Sequence, residues 1–370
     1  MKIVIAPDSF KGTLTAYEAA LTIAEAFTDA GETVQFPVAD GGEGTLSCFR
    51  SAIGGNYVTT SVANPYLERI EAKFLLSGDT AVVEVAEAAG LTLVEGRKNA
   101  RLTSSFGVGE LIRSAMDCGA KRIFVALGGS ATNDGGAGLA AALGAKFTDA
   151  EGLPLLPTGG TLGDIETIDL SQLDRRIGDV KFTALCDVRS KLLGRDGATY
   201  TFAPQKGASV DDVETMEQGM ASYAEKIYKA TGKDVKTLAG GGAAGGIGAA
   251  LAAYLNAEIA PGAEAVLNAM DFERALSGAD AVITGEGRLD KQSFMGKVVG
   301  TVAAAAYRAG VKTYCLAGDI AAEGTDDMLA ENHIELAVKC ASSDDWNRIK
   351  VSAHADLYKV ACALKAYLTE

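Results

Sequence analysis

Histidine is almost missing from this 370-residue chain: His333 and His354 are the only two, and both lie close to its end. A Ser–His–Asp triad or a multi-histidine zinc site would have to draw on that pair alone. Tryptophan occurs once, and aromatic residues make up only 6% of the chain. No Cys-x-x-Cys pair occurs among Cys48, Cys118, Cys186, Cys315, Cys340 and Cys362. In a chain of this size they read as reduced, mostly buried thiols of a cytoplasmic protein. No apolar run approaches about 18 residues, so no membrane span is expected. The N-terminal run stops at Pro7 and Asp8, too soon for a signal peptide. Basic charge is also short, with 34 Lys and Arg against 48 Asp and Glu, for a net −14. That field makes nucleic acid and anionic membranes poor partners, while leaving small anionic substrates open.

What is abundant is glycine, 44 residues of it, within 48% hydrophobic content. The length exceeds what one core holds, and two domains are expected. "KIVIA" precedes a helical run opened by Thr15 and Glu18, a capping box, and closed near Gly31. "TVQFPVA" (Thr33–Ala39) follows as a second strand, so the order suggests parallel strands with right-handed crossovers. From about residue 60 the pattern changes to β-branched alternation broken at Asn64-Pro65 and Gly78-Asp79, an antiparallel meander. Residues 150–180 lack periodicity and read as a surface excursion or a short helix with loops. The strand–helix rhythm returns near Ala279. The expected architecture is α/β: a Rossmann-like parallel-sheet domain from both chain ends (1–60 and 278–370), with a second, mixed-sheet α/β domain (61–277) inserted.

Polar residues and glycines gather where these strands should end. "PDSFKG" follows the first strand and "DGGEG" (Asp40–Gly44) the second. "GGSATNDGGAG" (Gly128–Gly138), "CDV" (Cys186–Val188) and "GEGRLD" (Gly285–Asp290) follow later ones. Each alone is an ordinary turn; five together, each with a carboxylate, are a candidate site at the carboxyl edge of a sheet. Glycine turns at helix starts offer N–H groups to phosphate, and carboxylates with phosphate oxygens suit Mg²⁺. With so little histidine, phosphoryl transfer to a small alcohol fits best, although a metal-dependent lyase or hydrolase could use the same residue types. No GxxxxGK(S/T) motif occurs. The single GxGxxG, at Gly240, Gly242 and Gly245, follows a poor strand and reads as a glycine loop for an anion. "FAPQKGAS" should expose Gln205 and Lys206 on a turn, and Lys297 stands just before a helix, where an anion could meet it.

In order along the chain, "MKIVIAPDSFKG", "ADGGEGT", "GVGELI", "GGSATNDGGAG", "PQKGA", "GAAGGIGA" and "ITGEGRLD" resemble the motifs of bacterial glycerate kinases, the ATP-dependent glycerate 2-kinases. The resemblance spans residues 1 to about 320. It implies phosphorylation of D-glycerate to 2-phosphoglycerate with ATP and Mg²⁺ in glycolate or glucarate catabolism. It also implies an active site in a cleft between two domains. On the matching positions, Asp187 is the expected base or orienting group for the glycerate hydroxyl, with Lys11 and Lys206 as catalytic cations for phosphate or the glycerate carboxylate. Ser9, Ser130, Asn133, Asp134, Gln205, Gly242 and Lys297 are expected to bind substrate or phosphate, and Asp8, Asp40 and Glu286 to hold metal. Glu43 and Asp290 also match. One departure is "CDVRSKLLG", where the family commonly has an acidic residue or Asn and then Asn-Pro. Arg189 and Lys191 add positive charge beside Asp187. Another small hydroxy acid as substrate, or a non-catalytic sugar-acid sensor on this scaffold, are the competing readings. The oligomeric state is open, with a homodimer as candidate.

Overall fold

The capping signal at Thr15 forms. In the computed structural model Thr15 Oγ1 accepts from the Glu18 N–H at 3.1 Å, and the Glu18 carboxylate accepts from the Thr15 N–H at 2.8 Å. The helix Ala16–Ala26 starts there. The structure describes residues 1–39, 41, 42, 44–321 and 325–369. In chain order the strands among them are β1 (Lys2–Pro7), β2 (Glu32–Gln35), β3 (Asn56–Ala63), β4 (Arg69–Ser77) and β5 (Thr80–Glu84). Then come β6 (Arg122–Ala126), β7 (Lys146–Thr148), β8 (Thr167–Asp169), β9 (Lys181–Leu185) and β10 (Glu258–Ala260). The last are β11 (Ala281–Leu289), β12 (Lys312–Ile320) and β13 (Ile334–Lys339). The chain divides into two compact units. One is Met1–Asp40, Ser47–Gly54 and Pro261–Glu370; the other is Gly41–Leu46 and Gly55–Ala260.

In the unit formed by the chain ends, the sheet order is β13-β12-β11-β1-β2, with every pair parallel. A parallel sheet is covered on both faces, which is why its central strands read as unbroken apolar runs. Successive residues of β12 show it. Leu316 joins Ile23 of the first helix, Phe27 just after it, and Leu357 and Leu364 of the last helix, Trp346–Thr369. Cys315 and Ala317 join Val299 and Ala303 of Val298–Arg308. Each such buried Leu, Ile or Phe contributes about 1.5–3 kcal/mol. The strand order turns around at β1: β2 lies on one side, and β11, β12 and β13 on the other. In open α/β sheets, ligands bind at the carboxyl ends of the strands flanking such a switch.

Two local readings change. "GEGRLD" is not a loop: β11 runs on through Leu289, because Glu286 and Arg288 are still held in register opposite Ala317 and Asp319 of β12. The ladder to a neighbouring strand overrides two glycines that locally signal a turn. Strand β2 stops at Gln35, short of Ala39, although the N–H groups of Phe36 and Val38 still donate to the carbonyls of Ile5 and Pro7. In the loop after β1, Gly12 has φ +79°, and a Cβ there would lie 2.9 Å from the Trp346 indole.

The other unit carries a mixed six-stranded sheet, β10-β9-β6-β5-β4-β3. Strands β3, β4 and β5 are the antiparallel meander, and β5, β6, β9 and β10 are parallel. Phe74, Leu111, Ile112, Phe182 and Tyr223 fill its core. Residues 150–180 are neither a bare surface excursion nor one short helix with loops. Short turns of 3-10 helix accompany β8, which pairs antiparallel with β7. The expected class, a parallel Rossmann-like sheet plus a second mixed α/β sheet, is the one observed.

Candidate active site

The loop after β6 carries a dense buried polar group. Asp134 is fully buried, and its carboxylate accepts from the N–H of Ser105 (2.7 Å), Gly136 (3.1 Å) and Gly138 (3.2 Å) and from the Ser105 hydroxyl (2.8 Å). The Ser104 hydroxyl approaches at 3.4 Å. Burial drives the carboxyl pKa above its ordinary value, against the pull of those donors. The carboxylate is thus filled from within the fold. It ties the start of the helix Phe106–Asp117 to the start of Ala137–Ala142.

Lys206 is the correction to the sequence reading. Gln205 is exposed as expected, but Lys206, on the 3-10 turn Pro204–Lys206, is only 2% exposed. Its ammonium donates to Ser130 Oγ at 2.8 Å and to the Thr132 carbonyl at 2.7 Å. Burial brings its pKa down to about 7, with the Asp134 charge pulling the other way. A turn that looks solvated in sequence is folded inward here, since the chain 70 residues earlier supplies oxygens for the ammonium. Asn133, fully buried, donates to Thr199 Oγ1 at 3.2 Å. Asp187 is half-buried in the loop after β9, where the Cys186 thiol donates to the Val188 carbonyl. Gly242 donates its N–H to the Ser190 carbonyl of the same loop. Neither Ser105 nor Thr199 carried a sequence signal of its own.

In the unit of the chain ends, the switch at β1 and β11 gathers another set. Pro7 is registered opposite Gly285, so Asp8 and Glu286 come next on adjacent strands. Both are buried, at 6% and 7% exposure. Asp8 accepts from the Ser9 N–H at 2.6 Å. The Glu286 pKa rises to about 7, chiefly through burial; the Ser293 hydrogen bond and Lys297 oppose this, and Asp8 and Asp290 add to it. Asp290 caps the short turn Lys291–Phe294. Lys11 is exposed and its backbone lies close to Gly287. Asp40 and Glu43 lie outside the described residues.

Among the described residues no three acidic, His or Cys side chains converge to hold a metal. Two carboxylates are enough for Mg²⁺, which keeps water and phosphate oxygens for its remaining positions. Glu286 Oε1 is buried without a hydrogen-bond partner, the kind of oxygen a cation satisfies. The residues therefore fit the ion. Both histidines are exposed, and His333 stacks on Tyr307. None of the six cysteines is in a disulfide, and among the described residues no helix is long and apolar enough to cross a membrane.

The chain is an α/β phosphotransferase with an alcohol group as acceptor, and its similarity to known proteins carries that assignment. The model of the glycerate kinase family matches residues 3–368, and the chain belongs to that family. It is 44% identical to the glycerate kinase of Bacillus subtilis (strain 168), covering 86% of this chain and 85% of that one. It is 45% identical to the glycerate 2-kinase of Escherichia coli (strain K12), over 89% of this chain and 87% of that one. A crystal structure from Salmonella typhimurium LT2, provisionally assigned as glycerate kinase 2, superposes with a TM-score of 0.89 at 38% identity. It covers all of this chain, which covers 98% of it.

Proposed function

We propose that the protein transfers the γ-phosphoryl group of ATP to the C2 hydroxyl of D-glycerate, giving 2-phosphoglycerate and ADP. The observation that carries this is Lys206, a buried ammonium with, among the described residues, only the Asp134 carboxylate charged against it, and that carboxylate already filled by backbone and serine donors. A buried cation left in that state is matched to an incoming anion. The similarity to a glycerate 2-kinase supports carbon 2 as the site.

The proposed roles follow from the surroundings. Lys206 and Ser130 hold an anionic oxygen of substrate or phosphate. Asp187, half-buried, takes the proton of the attacking hydroxyl. Asp134 positions the loop after β6 and touches no substrate. Lys11, Ser9 and Lys297 bind phosphate, and Asp8 and Glu286 hold Mg²⁺ with Asp40 as a further ligand. The ion, when bound, neutralises charge on the phosphate oxygens. Gln205 and Gly242 contact the acceptor or its phosphate. The free cysteines suit a reducing cytoplasm, and organic-acid catabolism through glycolate or glucarate is the setting.

Incubation with ATP, Mg²⁺ and D-glycerate, followed by phosphorus NMR, tests this. A new ester at carbon 2 is expected. An ester at carbon 3, or turnover only with a different hydroxy acid, overturns the assignment, and glycerate binding without turnover points to the sensor.

A further inference from the structure

Ser293 is fully buried, and its hydroxyl sits between two partners. It accepts from the Asp290 N–H at 2.9 Å and donates to the Glu286 carboxylate. The first bond alone is turn chemistry, since Asp290 and Ser293 form the reciprocal cap that opens the turn Lys291–Phe294. The second bond is not needed for that cap. A serine hydroxyl has one proton to give, and a hydroxyl without exposed surface cannot give it to solvent. Here Glu286 takes it. Among the described residues Glu286 Oε1 has no hydrogen-bond partner, so the bond from Ser293 falls on Oε2. The carboxylate is pinned by one oxygen, and the other is left to a ligand.

Both ends of this bond are held from outside it. Glu286 is registered opposite Ala317 of β12. The turn that carries Ser293 rests on the first turn of the helix Val298–Arg308. A Cβ at Gly300 would lie 2.9 Å from Phe294 Cα and 3.1 Å from the Ser293 carbonyl oxygen. A glutamate side chain left to itself samples several rotamers, and a hydrogen bond to the oxygen that does not ligate sets the direction of the one that does. We propose that Ser293 is a positioning residue of the cation site: its hydroxyl fixes Oε2 of Glu286 so that Oε1 is presented to the ion beside Asp8. Buried as it is, Ser293 acts through Glu286. The inference rests on the reading of Asp8 and Glu286 as Mg²⁺ ligands, and it is independent of glycerate as the acceptor.

Mn²⁺ binding to the full chain without nucleotide, read by electron paramagnetic resonance at pH 8, tests it, with thermal melts to confirm that each variant folds. Ser293→Ala should weaken Mn²⁺ about 10–100-fold. In turnover the Mg²⁺ concentration for half-maximal rate should rise with it, while KM for D-glycerate stays within about twofold of wild type. A serine that only held the turn would not produce that selective loss. Should Ser293→Ala fail to fold, Ser293→Cys takes its place, since it keeps the volume and is a weak donor. Added to Glu286→Gln, Ser293→Ala should change the residual Mn²⁺ affinity by less than about twofold, because the group it acts through is gone. Wild-type Mn²⁺ affinity in Ser293→Ala overturns the proposal. So does an equal loss in both backgrounds, a rise confined to KM for glycerate, or a wild-type protein that binds no Mn²⁺. If the wild type phosphorylates no glycerate, the Mn²⁺ titrations still decide. A loss in Ser293→Ala that disappears in the Glu286→Gln background upholds Ser293 while the glycerate reading falls.

Discussion

Asp8 and Glu286 follow the registered pair Pro7 and Gly285 on adjacent parallel strands, which sets two buried carboxyls together at the switch in strand order. The Glu286 carboxyl is held up at about 7, against an ordinary 4.5, and it is the more demanding partner for a cation. Between those two pH values the folded state holds a proton that the unfolded chain has lost. Glu286 therefore favours the fold in acid, and that contribution fades as pH rises through about 7. Glu286→Gln should flatten this slope in chemical denaturation. A divalent cation needs the ionised carboxylate, so Mn²⁺ affinity read by electron paramagnetic resonance should tighten by up to about tenfold per pH unit up to 7. Equal affinity in wild type and Glu286→Gln at pH 8 would remove Glu286 from the ligand set.

Lys206 titrates in the opposite sense. Its ammonium is penalised by burial, with a pKa near 7 in place of 10.5. Across that window the unfolded chain binds the extra proton, so this lysine makes the fold more stable as pH climbs from 7 toward 10.5. Substrate anions bind the protonated form. KM for glycerate should accordingly rise above about pH 7, by up to about tenfold per unit. Lys206→Met should lose at least about 100-fold in kcat/KM and should abolish the pH step. A pH step that survives in Lys206→Met would assign it to another group.

Asp134 offers a structural test. Its carboxylate receives three backbone N–H groups and a serine hydroxyl, and an Asn there must turn an NH₂ toward some of those donors. Asp134→Asn should cost about 2–4 kcal/mol in urea unfolding. Because the loop it fixes also carries Ser130 and Thr132, KM for glycerate should rise in the same variant. Stability equal to wild type would show that the latch holds nothing.

The strands were legible because central parallel strands are apolar throughout, and the Thr15–Glu18 cap was legible because both partners lie within one turn. What sequence could not supply was long-range pairing. The burial of Lys206 depends on Ser130 and Thr132, more than 70 residues away, and Asp134 is filled by Ser105, 29 residues earlier. Gly285 and Gly287 signalled a turn, yet the registered neighbour β12 keeps them in a strand. Glu286 was picked out for its carboxylate, while its depth in the sheet came from that same ladder. Ser105 and Thr199 were invisible because hydroxyls are common, and only the carboxylate and the amide that they meet set them apart.

The chain's single tryptophan is seated on Gly12, one residue after Lys11. That contact gives the protein a built-in optical reporter. Light absorbed by Trp346 is emitted from one known place, half open to water, at the loop that follows β1. Any event that shifts this loop alters one indole, with no background from other tryptophans and no label to attach. The order in which the enzyme takes up its two substrates can then be followed in real time by emission alone.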